Sequence, residues 1–259
     1  MMNAAFSALK ADSTYEAMNV AHDKLAPTFD RLRREGVRGL NITMPFKTAV
    51  RDLLDSSDPR AERIRAVNTV SREGGVYRGY NTDVDGILGP LRARGVSRIQ
   101  SAAVIGAGGA ARAFCAAMQE LRCNRLLVIA RDPVRAESLS LEMTQSFPSM
   151  SISPARIGGR VASDFQLLFN ASPEGSEGVP TPQEVLDLVG PDKIVFDAVY
   201  SPSRTALIEA AEASGATAIR GEEMLLDQAI QALRIWTGLE PPREVMRLTL
   251  SRFLEEPPA

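Results

Sequence analysis

Three groups of residues in this 259-residue chain have the types and spacing to do chemistry. The first is rich in glycine. Gly106-Ala107-Gly108-Gly109-Ala110-Ala111 follows the apolar run SAAVI and leads into AARAFCAAMQELR, which reads as a helix. This is a G-x-G-x-x-G/A pattern between strand and helix. Gly106 permits the tight turn, Gly108 lets backbone approach a pyrophosphate, and Ala111 allows the helix to pack closely on the strand. The helix N-terminus adds unpaired N–H groups and a partial positive charge. Without its flanks the pattern is only a tight turn; with them it predicts a dinucleotide site.

The second group lies about twenty residues on, where an NAD-binding fold places an acid at the tip of its second strand. Here RLLVIA ends in Ala130 and is followed by Arg131, with Arg135 one turn later. Two guanidiniums suit a 2′-phosphate, which predicts NADP as the cofactor. Asp132 would repel that phosphate unless it turns away, and the alternative is that both arginines are solvated surface charges.

The third group is polar. Asn41, Thr43 and Lys47 fall in NITMPFK, Asn68-Thr69 in AVNT, and Tyr80-Asn81-Thr82-Asp83 after VYRG. A lysine and an aspartate at loop positions beside a dinucleotide fold are plausible partners for moving a proton while hydride moves. Spacing does not bring them together, however. Taken singly, Lys47 reads as a surface lysine in a first helical turn and Asp83 as a helix N-cap.

The elements that must position these groups follow from periodicity. Leu25, Phe29 and Leu32 predict an amphipathic helix over 24–35, with Gly36 as its stop. VRGLNIT predicts a short strand, FKTAVRDLL a helix with Pro45 at its first turn, and the two runs around Gly74-Gly75 a hairpin. From residue 84 the pattern changes. DVDGILGPLRARG is helical, and SAAVIG, RLLVIAR, FQLLFNAS, KIVFDAVY and TAIRG arrive as short apolar strands, several separated by helical runs. That alternation predicts an α/β fold with a parallel sheet covered on both faces. EEMLLDQAIQALRIW and PREVMRLTLSRFLEE close the chain as helices, and Glu223, Asp227, Gln231 and Arg234 read as the polar face of the first. Gln228 lies off that face, beside Met224 and Ile235, where a polar group needs a partner.

Composition narrows the function class. Thirty Lys+Arg against 32 Asp+Glu leave a net charge of −2, giving no bulk electrostatic case for nucleic acid or an anionic membrane. No apolar run approaches the ~18–20 residues of a membrane span, and the N-terminus lacks the pattern of a signal peptide. Two cysteines, Cys115 and Cys123, and one histidine, His22, argue against a metal site and for a reduced, cytoplasmic setting. The cysteines and Trp236 read as packing residues, and His22 as a surface residue.

NxTxPxK, AVNT, GYNTD, GAGGAARA and the late GxxMLxxQ…WTG tract, in this order over essentially the whole chain, resemble shikimate dehydrogenase. The resemblance implies NADPH-dependent reduction of 3-dehydroshikimate to shikimate. It also implies an N-terminal α/β substrate domain, 1–85, completed by C-terminal helices over 224–259, and a Rossmann-type NADP domain over 86–223. By position, Lys47 and Asp83 become the catalytic pair. Thr43, Asn68 and Gln228 match contacts to the substrate hydroxyls, and Tyr200 a substrate-facing tyrosine. Gly106, Ala107, Gly108, Gly109, Ala110 and Arg131 match phosphate and adenosine contacts. Asn170-Ala-Ser-Pro-x-Gly175 and Gly221 match segments near the nicotinamide half, and Met224 falls near the same cleft. The partner is a small molecule, and the chain a monomer or homodimer.

Three departures from the family pattern carry expectations of their own. The family opens with a strand and a Ser-x-Ser-Pro segment that binds the substrate carboxylate, whereas this sequence begins at Met1-Met2-Asn3-Ala4-Ala5-Phe6. As written it is expected to hold that carboxylate weakly, and added upstream residues bearing Ser-x-Ser to raise activity. Ala130-Arg131-Asp132 replaces Asn-Arg-Thr, which keeps open a quinate/shikimate dehydrogenase using NAD, and Ser176 replaces a frequent Met. A nucleotide-binding homologue weakened in catalysis is the remaining alternative, against which the intact Lys47 and Asp83 argue.

Overall fold

A computed structural model describes residues 1–159, 161 and 163–255, and the chain divides into two compact units. One comprises Met1–Asp83 with Gln228–Ala259, the other Val84–Asp227.

In the first unit, helix α1 (Met2–Ala8) is followed by α2 (Leu25–Arg34), whose Phe29 is buried as its spacing predicts. Strand β1 (Gly39–Asn41) comes next. FKTAVRDLL does not form the expected α-helix. Turns over 44–48 lead into a short 3-10 helix, Ala49–Leu53, which buries Val50. Pro45 is therefore a turn residue, not a helix-start residue. Strand β2 (Ser56–Ser57) and helix α3 (Pro59–Ile64) precede the hairpin of β3 (Thr69–Glu73) and β4 (Val76–Tyr80). Gly74 and Gly75 both take positive φ, +59° and +90°, as a two-residue hairpin turn demands. The sheet runs β1-β3-β4-β2, with β2 parallel to β4 and the other pairs antiparallel. Phe29, Val50, Val67, Val70 and Tyr77 form the core against which it packs.

The second unit is built on six parallel strands. Helix α4 (Asp83–Ala93) leads to β5 (Ser101–Ile105), α5 (Gly109–Glu120), β6 (Arg125–Ala130), α6 (Pro133–Ser146) and β7 (Ser151–Arg156). Then follow β8 (Leu167–Asn170), α7 (Gln183–Leu186), β9 (Ile194–Asp197), α8 (Ala206–Ser214) and β10 (Thr217–Ile219). Their order, β10-β9-β8-β5-β6-β7, reverses direction between β5 and β8, which makes this a Rossmann sheet. The central strands β5 and β8 are buried along their whole length, as parallel strands covered on both faces must be. Phe114 of α5 stacks on Phe169 of β8 at 4.7 Å, and Phe196 of β9 meets Phe169 edge-on at 5.2 Å. Strand β7 has no counterpart among the expected strands. Among the described residues it pairs only with β6, is mostly exposed and contains Pro154, so it lacks the apolar run that marks its neighbours.

Helix α9 (Gly221–Thr237) returns the chain to the first unit, where α10 (Arg243–Glu255) packs on α1. Asp227 corrects the expected polar face of α9, for it is buried against Gly89 of α4, a position where a Cβ would collide with its carboxylate. No helix among the described residues is long and apolar enough to cross a membrane.

Candidate active site

The hairpin of the first unit delivers its polar residues to one place. Register pairs Thr69 with Tyr80, so Asn68 and the segment Asn81–Asp83 lie side by side at the open end of β3 and β4. Lys47 is carried to the same end by the turns after β1, and its carbonyl accepts from Val67 N–H at 2.8 Å. Lys47 Nζ donates to Asp83 Oδ2 at 2.5 Å. With side chains 17% and 5% exposed, the two are a largely desolvated ion pair, neither a solvated lysine nor a simple cap.

Asn68 fixes the other side of that pair. Its Nδ2 donates to Asp83 Oδ1 at 2.8 Å and to Thr82 Oγ1 at 3.0 Å, while its Oδ1 accepts from Thr82 N–H at 2.7 Å. Asn68 Nδ2 also reaches Gln228 Oε1 at 3.5 Å, which ties the off-face glutamine of α9 into the cluster. Thr69 bridges Asn68 Oδ1 and Thr82 Oγ1 at 3.1 and 3.0 Å. Asn41 and the hydroxyl of Tyr15 extend the chain of hydrogen bonds outward. Lys47, Asp83, Asn68 and Gln228 are thus brought together. Thr43 is exposed and, among the described residues, does not join this network; its carbonyl accepts from Phe46 N–H in the turn. Thr69, Thr82 and Tyr15 belong to the network although their types alone do not single them out. The pairing of two Asn-Thr dipeptides across a hairpin was the available signal.

In the second unit the candidate residues gather at the carboxyl ends of the strands, where Rossmann folds bind their ligands. Gly106 takes φ +103°, and a Cβ there would lie 3.1 Å from Ala171 O, so the turn after β5 runs against the loop after β8. Gly108 opens α5 with no side-chain cap, no acid follows in the first turn, and a Cβ at Gly108 would meet nothing within 4 Å. Gly106 to Ala110 are all partly exposed, and the open space beside Gly108 at the start of α5 offers the room and polarity that a pyrophosphate needs.

Arg131 and Arg135, after β6, are exposed. Asp132 turns away from the tip to cap α6, its Oδ1 accepting from Val134 N–H at 3.0 Å. Arg131 Nε pairs at 3.0 Å with Oε1 of Glu174, a buried carboxylate in the loop after β8. Asn170 orders that loop. Its Oδ1 accepts from Ser172 N–H, and its Nδ2 donates to Glu174 O at 2.8 Å and Asp197 Oδ1 at 2.9 Å. Asp197 also accepts from Thr205 Oγ1 at 2.5 Å and Val199 N–H at 3.0 Å. Burial among neutral donors pushes its carboxyl up to about 6. An acid ending the apolar strand KIVFD was a legible sign that such partners exist.

Tyr200 is exposed just after β9. Gly221 begins α9 against Val199, whose carbonyl oxygen leaves no room for a Cβ, and Met224 is buried one turn on. Cys115 and Cys123 are free and buried, and desolvation raises both thiols, Cys115 to about 12. They are packing residues, far from thiolate chemistry at neutral pH.

Residues 1–70 match the family model described as the shikimate dehydrogenase substrate binding domain, and residues 221–250 that of the shikimate 5′-dehydrogenase C-terminal domain. The chain is 35% identical over 258 residues to the shikimate dehydrogenase (NADP+) of Methanothermobacter thermautotrophicus, covering 98% of this chain and 91% of that protein. Among solved structures, a shikimate dehydrogenase in complex with NADP+ matches with a TM-score of 0.91 at 30% identity, over 98% of this chain and 90% of the other. The quinate dehydrogenase of Corynebacterium glutamicum in complex with NAD matches with a TM-score of 0.87 at 30% identity, over 96% and 92%.

Proposed function

Because the chain belongs to the shikimate dehydrogenase family, we propose that it catalyses the reversible reduction of 3-dehydroshikimate to shikimate with NADPH. The observation that carries the reaction is the desolvated Lys47–Asp83 pair, braced by Asn68. Reducing a ketone puts a hydride on carbon and a proton on oxygen. NADPH, when bound, supplies the hydride. Lys47 spends one of its three N–H donors on Asp83 and keeps two for the substrate oxygen, whose developing negative charge the ammonium stabilises. The pair delivers the proton to that oxygen, and Asp83 holds Lys47 in place throughout. Asn68, Gln228, Thr43 and Tyr200 supply polar contacts for the substrate hydroxyls.

Gly106, Ala107, Gly108, Gly109 and Ala110 would hold the pyrophosphate, Arg131 and Arg135 the 2′-phosphate, and Gly221 and Met224 border the nicotinamide half. NADP is favoured over NAD because Asp132, the acid nearest the strand tip, is committed to capping α6. A reduced cytoplasm suits two free, buried thiols.

Shikimate-dependent formation of NADPH at 340 nm tests the proposal. The wild type should turn over, and Lys47→Ala should lose about 10²–10⁴-fold in kcat while binding NADPH as before. Wild-type turnover by Lys47→Ala would refute the catalytic assignment, and an inert wild type with this substrate would refute the activity.

A further inference from the structure

We infer that Glu174 is a positioning residue for cofactor specificity, holding the Arg131 guanidinium by an ion pair where it can meet the 2′-phosphate of NADP. The inference rests on the NADP reading above and deepens it.

Four observations converge on Glu174. Its side chain is 4% exposed, whereas that of its partner Arg131 is 68% exposed, so the contact joins a fixed carboxylate to an otherwise solvated cation. Its backbone is tied on both sides, the carbonyl to Asn170 Nδ2 at 2.8 Å and the N–H to Ser172 Oγ at 3.3 Å. Among the described residues its second oxygen, Oε2, is buried with no hydrogen-bond partner, and Arg131 is the ionic contact that offsets desolvation of the charge. Finally, sheet order places β5 between β6 and β8. The ion pair, formed by the residue after β6 and the loop after β8, therefore spans the end of β5, where the glycine turn begins.

Geometry decides what this contact does. A carboxylate that paired with both terminal nitrogens would occupy the fork that recognises phosphate. The closest approach here is at Nε, and among the described residues no hydrogen bond ties a terminal nitrogen to Glu174, so the fork is not spent on the carboxylate while the ion pair restrains a long, exposed side chain. The negative charge itself would weaken phosphate binding, so positioning and repulsion predict opposite signs when it is removed.

The test is calorimetric titration of the whole chain with adenosine 2′,5′-bisphosphate and, separately, with 5′-AMP. Glu174→Ala should weaken the bisphosphate about 3–10-fold, the cost of re-ordering one rotamer-rich side chain, and leave 5′-AMP unchanged. Glu174→Gln, which keeps the shape of the side chain but removes the charge of the ion pair, should weaken the bisphosphate as alanine does and leave 5′-AMP unchanged. Melting curves establish that each variant is folded, and the isosteric glutamine covers the case in which alanine is not. The inference is overturned if Glu174→Ala or Glu174→Gln leaves the bisphosphate unchanged, tightens it, or weakens both ligands alike. Arg131→Ala separates this from the underlying reading. If that variant still prefers the bisphosphate, Arg131 does not bind the 2′-phosphate at all.

Discussion

Asp197 makes the second unit sensitive to pH in a direction opposite to that of a salt-bridged carboxylate. It is fully buried, and Asn170, Thr205 and the Val199 N–H, all neutral, are its hydrogen-bond donors. Desolvation outweighs them and lifts the carboxyl from 3.8 to about 6. A gap of about two pH units, at about 1.4 kcal/mol per unit, amounts to about 3 kcal/mol. Because the folded value lies above the unfolded one, the folded state holds the proton more tightly. Stability from this residue is undiminished below the unfolded value, falls as pH rises toward 6, and stays at its lowest above that. Asp197→Asn keeps an acceptor for Asn170 and Val199, turns an N–H toward Thr205, and cannot ionise. Calorimetric melting of both proteins from pH 4 to 7.5 isolates the effect, since every other titrating group cancels in the difference. At about 2–4 °C per kcal/mol for domains of about 150–250 residues, the wild type should lose about 6–12 °C more than the variant across the range. Parallel curves would refute the reasoning and place the charge in a better-solvated site than its burial implies.

Two further substitutions probe the two ligand sites. Asp83→Asn keeps the shape of the side chain but strips Lys47 of its counter-ion, and kcat should fall about 10²–10⁴-fold with little change in NADPH affinity; an intact kcat measured at 340 nm would show that Lys47 acts alone. Gly106→Ala forces an L-residue to φ +103° with its Cβ 3.1 Å from Ala171 O, so a loss of about 1–3 kcal/mol in stability and weaker NADPH binding should appear in melting and fluorescence titration, and an unchanged protein would mean that the turn relaxes freely.

Much of this was legible because local chemistry and tertiary demand agree. The glycine turn needs the strand before it and the helix after it, and all three are contiguous in the chain. The hairpin was equally readable from Gly74-Gly75, since a tight turn states its own geometry. The losses occur where the deciding contact is distant. Asp227 falls on the polar stripe of α9 by spacing, yet Gly89, far away in sequence, opens a niche that buries it. FKTAVRDLL has a helical rhythm, but the backbone of Lys47 is spent on Val67, and the segment turns where the rhythm would continue. Strand β7 is an edge with one neighbour and carries little of the apolar signal of the interior. The pairing of Lys47 with Asp83 came from family resemblance; spacing alone left both with ordinary alternatives.

The two units solve the same problem with the same device and put the result to different uses. At each strand end an asparagine amide sits between a carboxylate and a backbone N–H. Asn68 donates to Asp83 and accepts from Thr82 N–H; Asn170 donates to Asp197 and accepts from Ser172 N–H. An amide suits this position because it carries donors and an acceptor without adding charge, where an aspartate would set two carboxylates side by side. What distinguishes the two clusters is the third partner. Asp83 has an ammonium at 2.5 Å, which compensates its charge and gives the pair a proton to move. Asp197 has a threonine hydroxyl instead, so its charge goes uncompensated and its carboxyl titrates near 6. The first arrangement is equipped for proton transfer. The second is a brace, and what it braces is the loop that carries Glu174 to Arg131.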